Sequence, residues 1–596
     1  MSQSFIPQLP ENAPFTPEQR AYLNGFFAGM FSRVPAGAGP VPSAPPSSSA
    51  PMEPLTILFG SQTGTAEKLA KRIAREAGRH GFAATIHEMA LYPFAQLGSE
   101  RHLVVVTSTY GDGEPPDNAK SFWELLAADG APSLKQTRFT VCALGDTNYP
   151  KFCAFGKCVD ERLEKLGGTR VSPRVDCDVD YEELFARWIN AALPALKPGE
   201  KGAGTVMVET AGTPVSVAAE PSRFDRKNPF PATFRANRRL NGDGSAKDTR
   251  HFEFVIEGSG LTYAAGDAMG VFPANCQDLV GEIIEALGCS GDESVPGSKA
   301  DTVSLREALT SHYEITRISP PFLKAMAERT GDAQLQQLSG PGVNGELTKF
   351  LRGREVIDLL LAHPGVKFSP GGFVALLKKL QPRLYSIASS PQAHAGSIHL
   401  CVGVVRYESL GRTRKGVCST FLAERVAERC AVPIFLHSNN NFRPPAGSST
   451  PMVMVGPGTG IAPFRGFLHE RRATGATGRN WLFFGDQRAS TDFLYREEME
   501  ECRRSGLLTR LDTAFSRDQA EKVYVQNRML ENASELFAWL EEGAHFYVCG
   551  DASRMAKDVD AALHQVIQTA GGKTLEQATE YVQRLKQEKR YQRDVY

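Results

Sequence analysis

None of the eleven cysteines in this 596-residue sequence form a Cys-x-x-Cys pair. Scattered and odd in number, they fit reduced thiols better than disulfides or a metal cage. The twelve histidines lack ligand spacing too, so no haem, zinc or iron–sulfur centre is expected on the chain. There is no run of about 18 apolar residues, which excludes a membrane-crossing helix. There is no basic segment leading an apolar core at the N-terminus, so no signal peptide is expected and the cytoplasm is the expected compartment. Charge of either sign is not in excess: 67 basic residues balance 67 acidic ones, and nothing global argues for nucleic acid. The Gly-Lys-Ser/Thr of a nucleotide triphosphate loop is missing as well.

What remains is ordinary soluble globular protein, 41% hydrophobic and 22% charged, with a prior of about four domains. Residues 35–51 are rich in Pro, Ser, Ala and Gly and read as a linker. Before it, Thr16-Pro17-Glu18 opens a helix with an apolar stripe of Tyr22, Leu23, Phe26, Phe27, Met30 and Phe31. That helix either packs back on its own chain or docks another subunit, making a homo-oligomer. Residues 52–195 alternate strands (55–60, 103–107, 139–144) with helices and predict a doubly wound parallel sheet. Residues 196–222 are small and polar, a second linker. Residues 223 to about 275 and 366 to about 445 are β-branched and aromatic runs broken by turns, as in a small barrel, and a mainly helical insert separates them at about 276–365. From 446 to 596 strand–helix alternation returns, with strands at 451–456, 481–485, 508–515 and 545–549. The fold class expected is α/β multidomain.

Three loops follow strands of the first sheet. Ser61-Gln62-Thr63-Gly64-Thr65-Ala66 offers hydroxyls and backbone N–H groups at a helix N-terminus, a cradle for a phosphate monoester. Ser108-Thr109-Tyr110-Gly111 and Leu144-Gly145-Asp146-Thr147-Asn148-Tyr149-Pro150-Lys151-Phe152-Cys153 each carry an aromatic that can wall a flat ring. Three such loops in order resemble the flavodoxin family, and that resemblance implies FMN. Beside them, Asp112, Glu114, Asp117, Asp176, Asp178, Asp180, Glu182 and Glu183 form either a solvated face or an acidic rim that steers basic partners.

Farther on, Arg383-Leu384-Tyr385-Ser386 supplies a guanidinium fork suited to a pyrophosphate, an aromatic that can stack on a flat ring, and a hydroxyl. Gly416-Val417-Cys418-Ser419 precede an apparent helix at Phe421–Arg425 and can offer N–H groups to the same pyrophosphate. Gly456-Pro-Gly-Thr-Gly-Ile-Ala-Pro463 follows a strand, though a Gly-x-Gly-x-Gly loop alone is weak. Ser516-Arg517 and the run Lys522-Val523-Tyr524-Val525-Gln526 bring two cations and several polar groups behind another strand, which suits a 2′-phosphate and hence NADPH; an acidic residue there would suit NAD.

Taken in order with Tyr547-Val-Cys549-Gly-Asp551, these motifs resemble the ferredoxin–NADP reductase superfamily. Fused behind a flavodoxin-like domain, they are similar to the diflavin reductases over residues 52–596. The soluble N-terminal helix and the ending Arg590-Tyr-Gln-Arg-Asp-Val-Tyr596 resemble the branch that serves sulfite reduction. The resemblance implies a flavodoxin-like FMN domain (52–195), an FAD-binding antiparallel β-barrel with a helical connecting insert (223–445) and a Rossmann-like NADP-binding domain (446–596). It also implies a relay from NADPH to FAD to FMN, and then to a sirohaem/iron–sulfur hemoprotein subunit that reduces sulfite to sulfide. Another haem acceptor, such as a monooxygenase, and a non-enzymatic flavin-binding scaffold are the rival readings. By family position, Cys401, Val402, Gly403 and Tyr407 lie along the flavin and adenosine, Ser319 is a further FAD contact, and Asp558 contacts NADP. Ser386, Cys549, Asp594 and Tyr596 line the hydride path, with Tyr596 covering the flavin face opposite Tyr385. For Cys549 the alternative is a buried inert cysteine, and for Tyr596 a frayed terminus. Tyr110 stands where some members of that branch carry glutamine.

Overall fold

The computed structural model describes residues 52–61, 64–110, 113–147, 151–179, 181–197, 223–297, 301–340 and 344–596. The expected N-terminal helix and first linker, nearly all of the second linker, and Gln62, Thr63, Gly111, Asn148, Tyr149 and Pro150 lie outside them.

The first sheet contains β1 (Glu53–Gly60), β2 (Phe82–Glu88), β3 (His102–Ser108), β4 (Arg138–Leu144), β5 (Thr169–Arg170) and β6 (Val175–Cys177), all parallel, in the order 2-1-3-4-5 with β6 also on β4. Strands β1, β3 and β4 are near-continuous apolar runs because both of their faces are covered. One face packs Ile57, Val104 and Val106 against the helices Thr65–Arg79 and Glu182–Leu196. The other packs Leu58, Val105 and Val141 against Lys120–Ala127 and Ala154–Lys165. The strand order reverses between β1 and β3, and ligand loops gather at such a switch point.

The second sheet is antiparallel: β7 (Phe230–Arg239), β8 (Thr249–Val255), β9 (Ala268–Val271), then β12, β13 and β16 after an insertion. The insertion carries a hairpin, β10 (Ser294–Pro296) with β11 (Thr302–Ser304), among its helices. The sequence suggested helix there, but three-residue strands are too short to show alternation. Its core runs from Val280 to Leu377, past the expected boundary near 365. The sheet resumes with β12 (Arg383–Ser386) and β13 (Ser397–Gly403), a small ribbon of β14 (Arg406–Ser409) and β15 (Arg412–Lys415), and β16 (Ala431–His437). Its order is β12-β9-β16-β7-β8-β13, and an antiparallel bridge joins Ile387 to Leu400, so the chain leaving one edge strand meets the other. Gly270 in β9 has no room for a side chain: an added Cβ would lie 2.1 Å from the Phe435 ring.

The third sheet is parallel, ordered β19-β18-β17-β20-β21, from β17 (Met452–Val455), β18 (Asn480–Asp486), β19 (Arg510–Phe515), β20 (His545–Gly550) and β21 (Tyr591–Val595). The sequence reading anticipated all of these except β21. Together the sheets make an α/β multidomain chain.

Charges stitch the insertion to the ribbon. Arg414, on β15 and 2% exposed, donates to Asp358 through two hydrogen bonds and to Glu355 at 3.2 Å. Glu355 and Asp358 form a capping box at the start of the helix Val356–Ala362. Burial raises the Glu355 carboxyl to about 7, against the opposing pull of Arg414. A carboxyl raised in the fold stabilises at low pH, and that contribution is lost as pH rises through its folded value. Glu355→Gln should therefore gain on the native chain in melting temperature between about pH 5 and pH 8, as followed by thermal denaturation across that range.

Candidate active site

The first set of loops is knit together at the carboxyl ends of β1, β3 and β4. Gly64, at φ 87°, turns the chain into the helix that starts at Thr65, a conformation a side chain would strain. The Ser61 hydroxyl accepts from the N–H groups of Gly64 and Ala66 at 2.9 and 3.2 Å. Thr109 donates its N–H to the Leu144 carbonyl, and its hydroxyl accepts from the Phe155 N–H. Gly145 is crowded by Cys153, which is buried at φ 54°. Thr147 bonds Asp178 through both N–H and hydroxyl. The Ser108 hydroxyl is buried and has no partner among the described residues, so a polar group remains to be satisfied between these loops. Lys151 and Phe152 lead into the helix that starts at Ala154.

Tyr110 does more than edge this cradle. Its hydroxyl accepts from the Val595 N–H at 3.2 Å, its ring lies 6.0 Å from the Arg593 guanidinium, and it packs on the core of the third sheet.

On the second sheet, Arg383 donates to the Gln381 carbonyl at 2.8 Å and to Glu314 at 3.2 Å. Burial pushes the Tyr385 hydroxyl well above its ordinary range, with Cys418 adding to the effect. Gly416 is the cap of a helical turn, Val417–Thr420, and Phe421–Arg425 continues it as a wider π turn. The helix thus begins four residues earlier than its apolar run suggested. Ser419 accepts from the Val405 N–H. Cys401 and Val402 are buried in β13, with Gly403 at its end. Leu384, Tyr407 and Tyr596, by contrast, are about half exposed, large apolar side chains of the kind a flat ligand covers. Ser319 serves elsewhere: its hydroxyl caps the helix Pro320–Thr330 and donates to the Leu376 carbonyl.

Four residues from three distant stretches meet where the second and third sheets touch. The Ser386 hydroxyl donates to Asp594 Oδ2 at 2.5 Å, and the Cys549 thiol lies 3.9 Å from the same oxygen. Strands β20 and β21 run in register with Cys549 beside Asp594. Burial raises the Asp594 pKa, although the bonds from Ser386 and Cys549 oppose it. Burial and the neighbouring carboxyl push the Cys549 thiol well above its ordinary range. Tyr596 is held by its N–H on the Gly550 carbonyl, and its hydroxyl lies 2.9 Å from that of Thr459.

Above this point opens a cleft of about 860 Å³, lined by Gly458, Thr459, Ser516, Tyr524, Val525, Gln526, Asp558 and Tyr596 among others. That size suits a nucleotide. Gln526 donates to Asp558 at 3.2 Å. Arg517 and Lys522 are exposed and, with Val523, stand outside this lining. Two lining residues had no signal in the sequence. Lys247, from the loop before β8, crosses the cleft to Asp486 at the end of β18. Asp486 keeps one buried carboxylate oxygen without a partner among the described residues, and burial raises its pKa against the pull of Lys247.

Among the described residues, His251, Glu253 and His399 are the one group whose donor atoms could hold a metal. Those atoms are already engaged. His251 bonds Tyr495 and Glu253, and His399 accepts from Arg465 at 3.2 Å. With His394 and His469 they form a run of four imidazoles between the second and third sheets.

The three sheets coincide with three family matches: Flavodoxin at residues 57–188, FAD binding domain at 222–421, and Oxidoreductase NAD-binding domain at 454–561. Over its whole length the chain is 45% identical to the sulfite reductase (NADPH) flavoprotein alpha-component of Bacillus subtilis, covering 98% of this chain and 96% of that one. It is 44% identical to the protein of the same name from Vibrio cholerae, covering 97% and 93%, and 41% identical to that from Klebsiella pneumoniae, covering 98% and 96%. The chain belongs to the sulfite reductase flavoprotein alpha-component family. In this member the match to the NAD-binding domain stops at residue 561, before Asp594 and Tyr596.

The close fit at the cleft floor has a measurable consequence. A Cβ on Gly460 would lie 2.1 Å from the Cys549 carbonyl oxygen, and backbone cannot yield as a flexible side chain does. Gly460→Ala should destabilise the chain by about 1–3 kcal/mol, read from its denaturation midpoint.

Proposed function

We propose that this chain is an NADPH-dependent diflavin reductase, the flavoprotein subunit that delivers electrons to a sulfite-reducing hemoprotein. What carries the reading is the convergence of Ser386, Cys549 and Asp594 close to Tyr596, which itself lines a nucleotide-sized cleft. The Ser108 hydroxyl, unpartnered among the described residues, the half-exposed Leu384 and Tyr407, and the cleft fit FMN, FAD and NADPH in turn. When bound, these cofactors supply the redox chemistry: two electrons enter from NADPH at FAD and leave singly through FMN.

The residues do the holding and the proton work. The loops at 61–66, 108–111 and 144–153 bind FMN within a domain of residues 52–195. Arg383 and the turn at Gly416 grip the FAD pyrophosphate in a barrel of residues 223–445, assisted by Cys401, Val402, Gly403 and Tyr407. Ser516, Arg517 and the run Lys522–Gln526 select the 2′-phosphate in residues 446–596, and Asp558 is a further NADP contact. Tyr385 and Tyr596 would supply the aromatic walls that hold the isoalloxazine of FAD. Asp594, with its raised pKa, shares a proton with the Ser386 hydroxyl beside the ring edge, and Cys549 narrows the space in which nicotinamide can settle. The N-terminal helix joins copies of the chain, and the complex works in the cytoplasm. Reconstitution tests the reading: the chain plus a purified sulfite reductase hemoprotein should form sulfide from sulfite at the expense of NADPH. NADPH oxidation with no sulfide would send the electrons to another acceptor.

Two variants probe the nucleotide end. A charge-assisted hydrogen bond is worth about 1.5–3 kcal/mol, so Arg517→Ala should lower NADPH use by roughly tenfold to a hundredfold while sparing NADH. Stacking adds about 0.5–1.5 kcal/mol beyond area burial, so nicotinamide can displace Tyr596. Deleting Tyr596 should tighten NADP⁺ binding and raise NADH turnover, as measured by calorimetry and steady-state kinetics.

A further inference from the structure

A phosphorylated dinucleotide is a polyanion, yet carboxylates outnumber cations around the cleft. Asp248, Asp486, Asp551 and Asp558 line it against Lys247 and Arg554. Three of these carboxylates are well provided for. Asp551 and Asp558 are exposed, and Asp248 is paired with Arg250 and Arg406. Asp486 differs. Its side chain is 1% exposed, and its paired cation, Lys247, is 38% exposed. Lys247 and the Gln487 N–H both donate to Oδ1. Oδ2 is buried, has no partner among the described residues and faces the glycine loop, where a Cβ on Gly458 would lie 3.8 Å from it.

The two ends of this pair are held differently. Asp486 closes β18, its carbonyl fixed by the Ser516 N–H at 2.9 Å. The Lys247 N–H donates to the Ser245 hydroxyl, and Ser245 and Asn241 both donate to Asp492. The loop carrying Lys247 is thus pinned to the third-sheet unit, and its long flexible side chain is the part free to move. Lys247, Asp492 from the helix Ala489–Asp492 and Cys401 from β13 are the titratable groups facing Asp486. Burial raises the Asp486 pKa, Lys247 and the Gln487 N–H lower it, and Asp492 raises it again. Burial keeps the Cys401 thiol neutral, so Lys247 is the one cation of the set.

Phosphates entering the cleft compete with Asp486 for Lys247. A buried carboxylate that loses its counter-charge neutralises rather than staying ionised, and a neighbouring anion pushes the same way. We propose that Asp486 is the proton acceptor of nucleotide binding: as the phosphates draw Lys247 away, its carboxyl takes one proton from solvent and stays in the cleft as a neutral hydrogen-bond donor beside the glycine loop. The proposal rests on the NADPH reading above and adds a residue to it. No electrons move in this step; an O–H bond forms at the carboxyl, and buffer or water gives up the proton. A lining that would repel a polyanion becomes one that accepts it. Binding is then favoured at low pH and weakens as pH rises through the carboxyl's value in the complex.

Calorimetric titration of NADP⁺ into the full, flavin-loaded chain, repeated in buffers of different ionisation enthalpy, counts the protons. At about pH 7.5 the native chain should take up roughly 0.5–1 proton per nucleotide more than Asp486→Asn. The 2′-phosphate titrates at about 6 in every chain, so its share cancels in the difference. Asp486→Asn also releases Lys247 to the phosphates and should tighten NADP⁺ roughly tenfold. Lys247→Met reaches the same carboxyl from the exposed end of the pair. Asp486 is then neutral before the nucleotide arrives, so the extra uptake should be lost while NADP⁺ binds more weakly. This second variant decides the matter if Asp486→Asn folds poorly. Native uptake no greater than that of Asp486→Asn overturns the proposal, as does Lys247→Met that keeps the native uptake. A native chain that binds no NADP⁺ overturns the nucleotide reading itself, whereas binding without the extra proton overturns this proposal alone.

Discussion

One carboxyl group organises the working end of this molecule. Asp594 can accept from Ser386 only because β21 lies in register beside β20, and Cys549 approaches the same oxygen only for that reason. Ser386 belongs to an antiparallel sheet and Cys549 to a parallel one, so the contact also sets how the two sheets meet. A carboxyl held away from water must be hydrogen-bonded or protonated. This one is bonded and has a raised pKa, which suits a group that hands a proton to and fro.

Across the chain the units are joined largely by buried charge. Arg414 ties the helical insertion to β15 through Glu355 and Asp358. Arg465, paired with Glu498, reaches from the third unit to the Ala388 carbonyl of the second. Lys247 reaches Asp486 across the cleft, and Arg593 reaches Asp117 across the seam. Apolar cores within each unit supply cohesion without direction. Paired charges demand one geometry, and a misaligned seam would leave them unpaired. Cofactors that exchange electrons need that kind of alignment more than they need a tight join.

The sequence was most readable where local pattern and burial agree. Strands β1, β3, β4, β17, β18 and β20 are apolar runs covered on both faces, and their loops carry glycine and hydroxyl groups that stand out from their surroundings. The edge strands were harder. β2 is only partly buried, and β21 contains Arg593 and Asp594, which look like solvated charge until their partners are known. Those partners lie 476 and 208 residues away, a distance over which no periodicity speaks. Ser386, Cys549 and Asp594 were grouped through the resemblance, since their spacing alone carries no signal. Lys247 and Asp486 were missed for the same reason. Tyr110 was picked as a ring wall because it is the aromatic of a glycine-rich loop that follows a strand; its bond to the Val595 backbone could only appear with the third sheet in place.

The run of four imidazoles between the second and third sheets makes that seam a fuse for acid. Burial lowers the pKa of His251 and of His399 to about 3, with Arg465 pressing the same way on both, and it lowers that of His394 as well. Glu253, Glu498 and Tyr495 face the same rings and offset only part of this. Unfolded, His251, His394 and His399 would take up protons below about pH 6.5; folded, they resist protonation. The contribution of these three rings to stability therefore falls as pH drops from neutral toward about 3. The loss is concentrated at the one boundary where the flavin-binding and nucleotide-binding halves must stay in line. Mild acid should part those halves before it melts either.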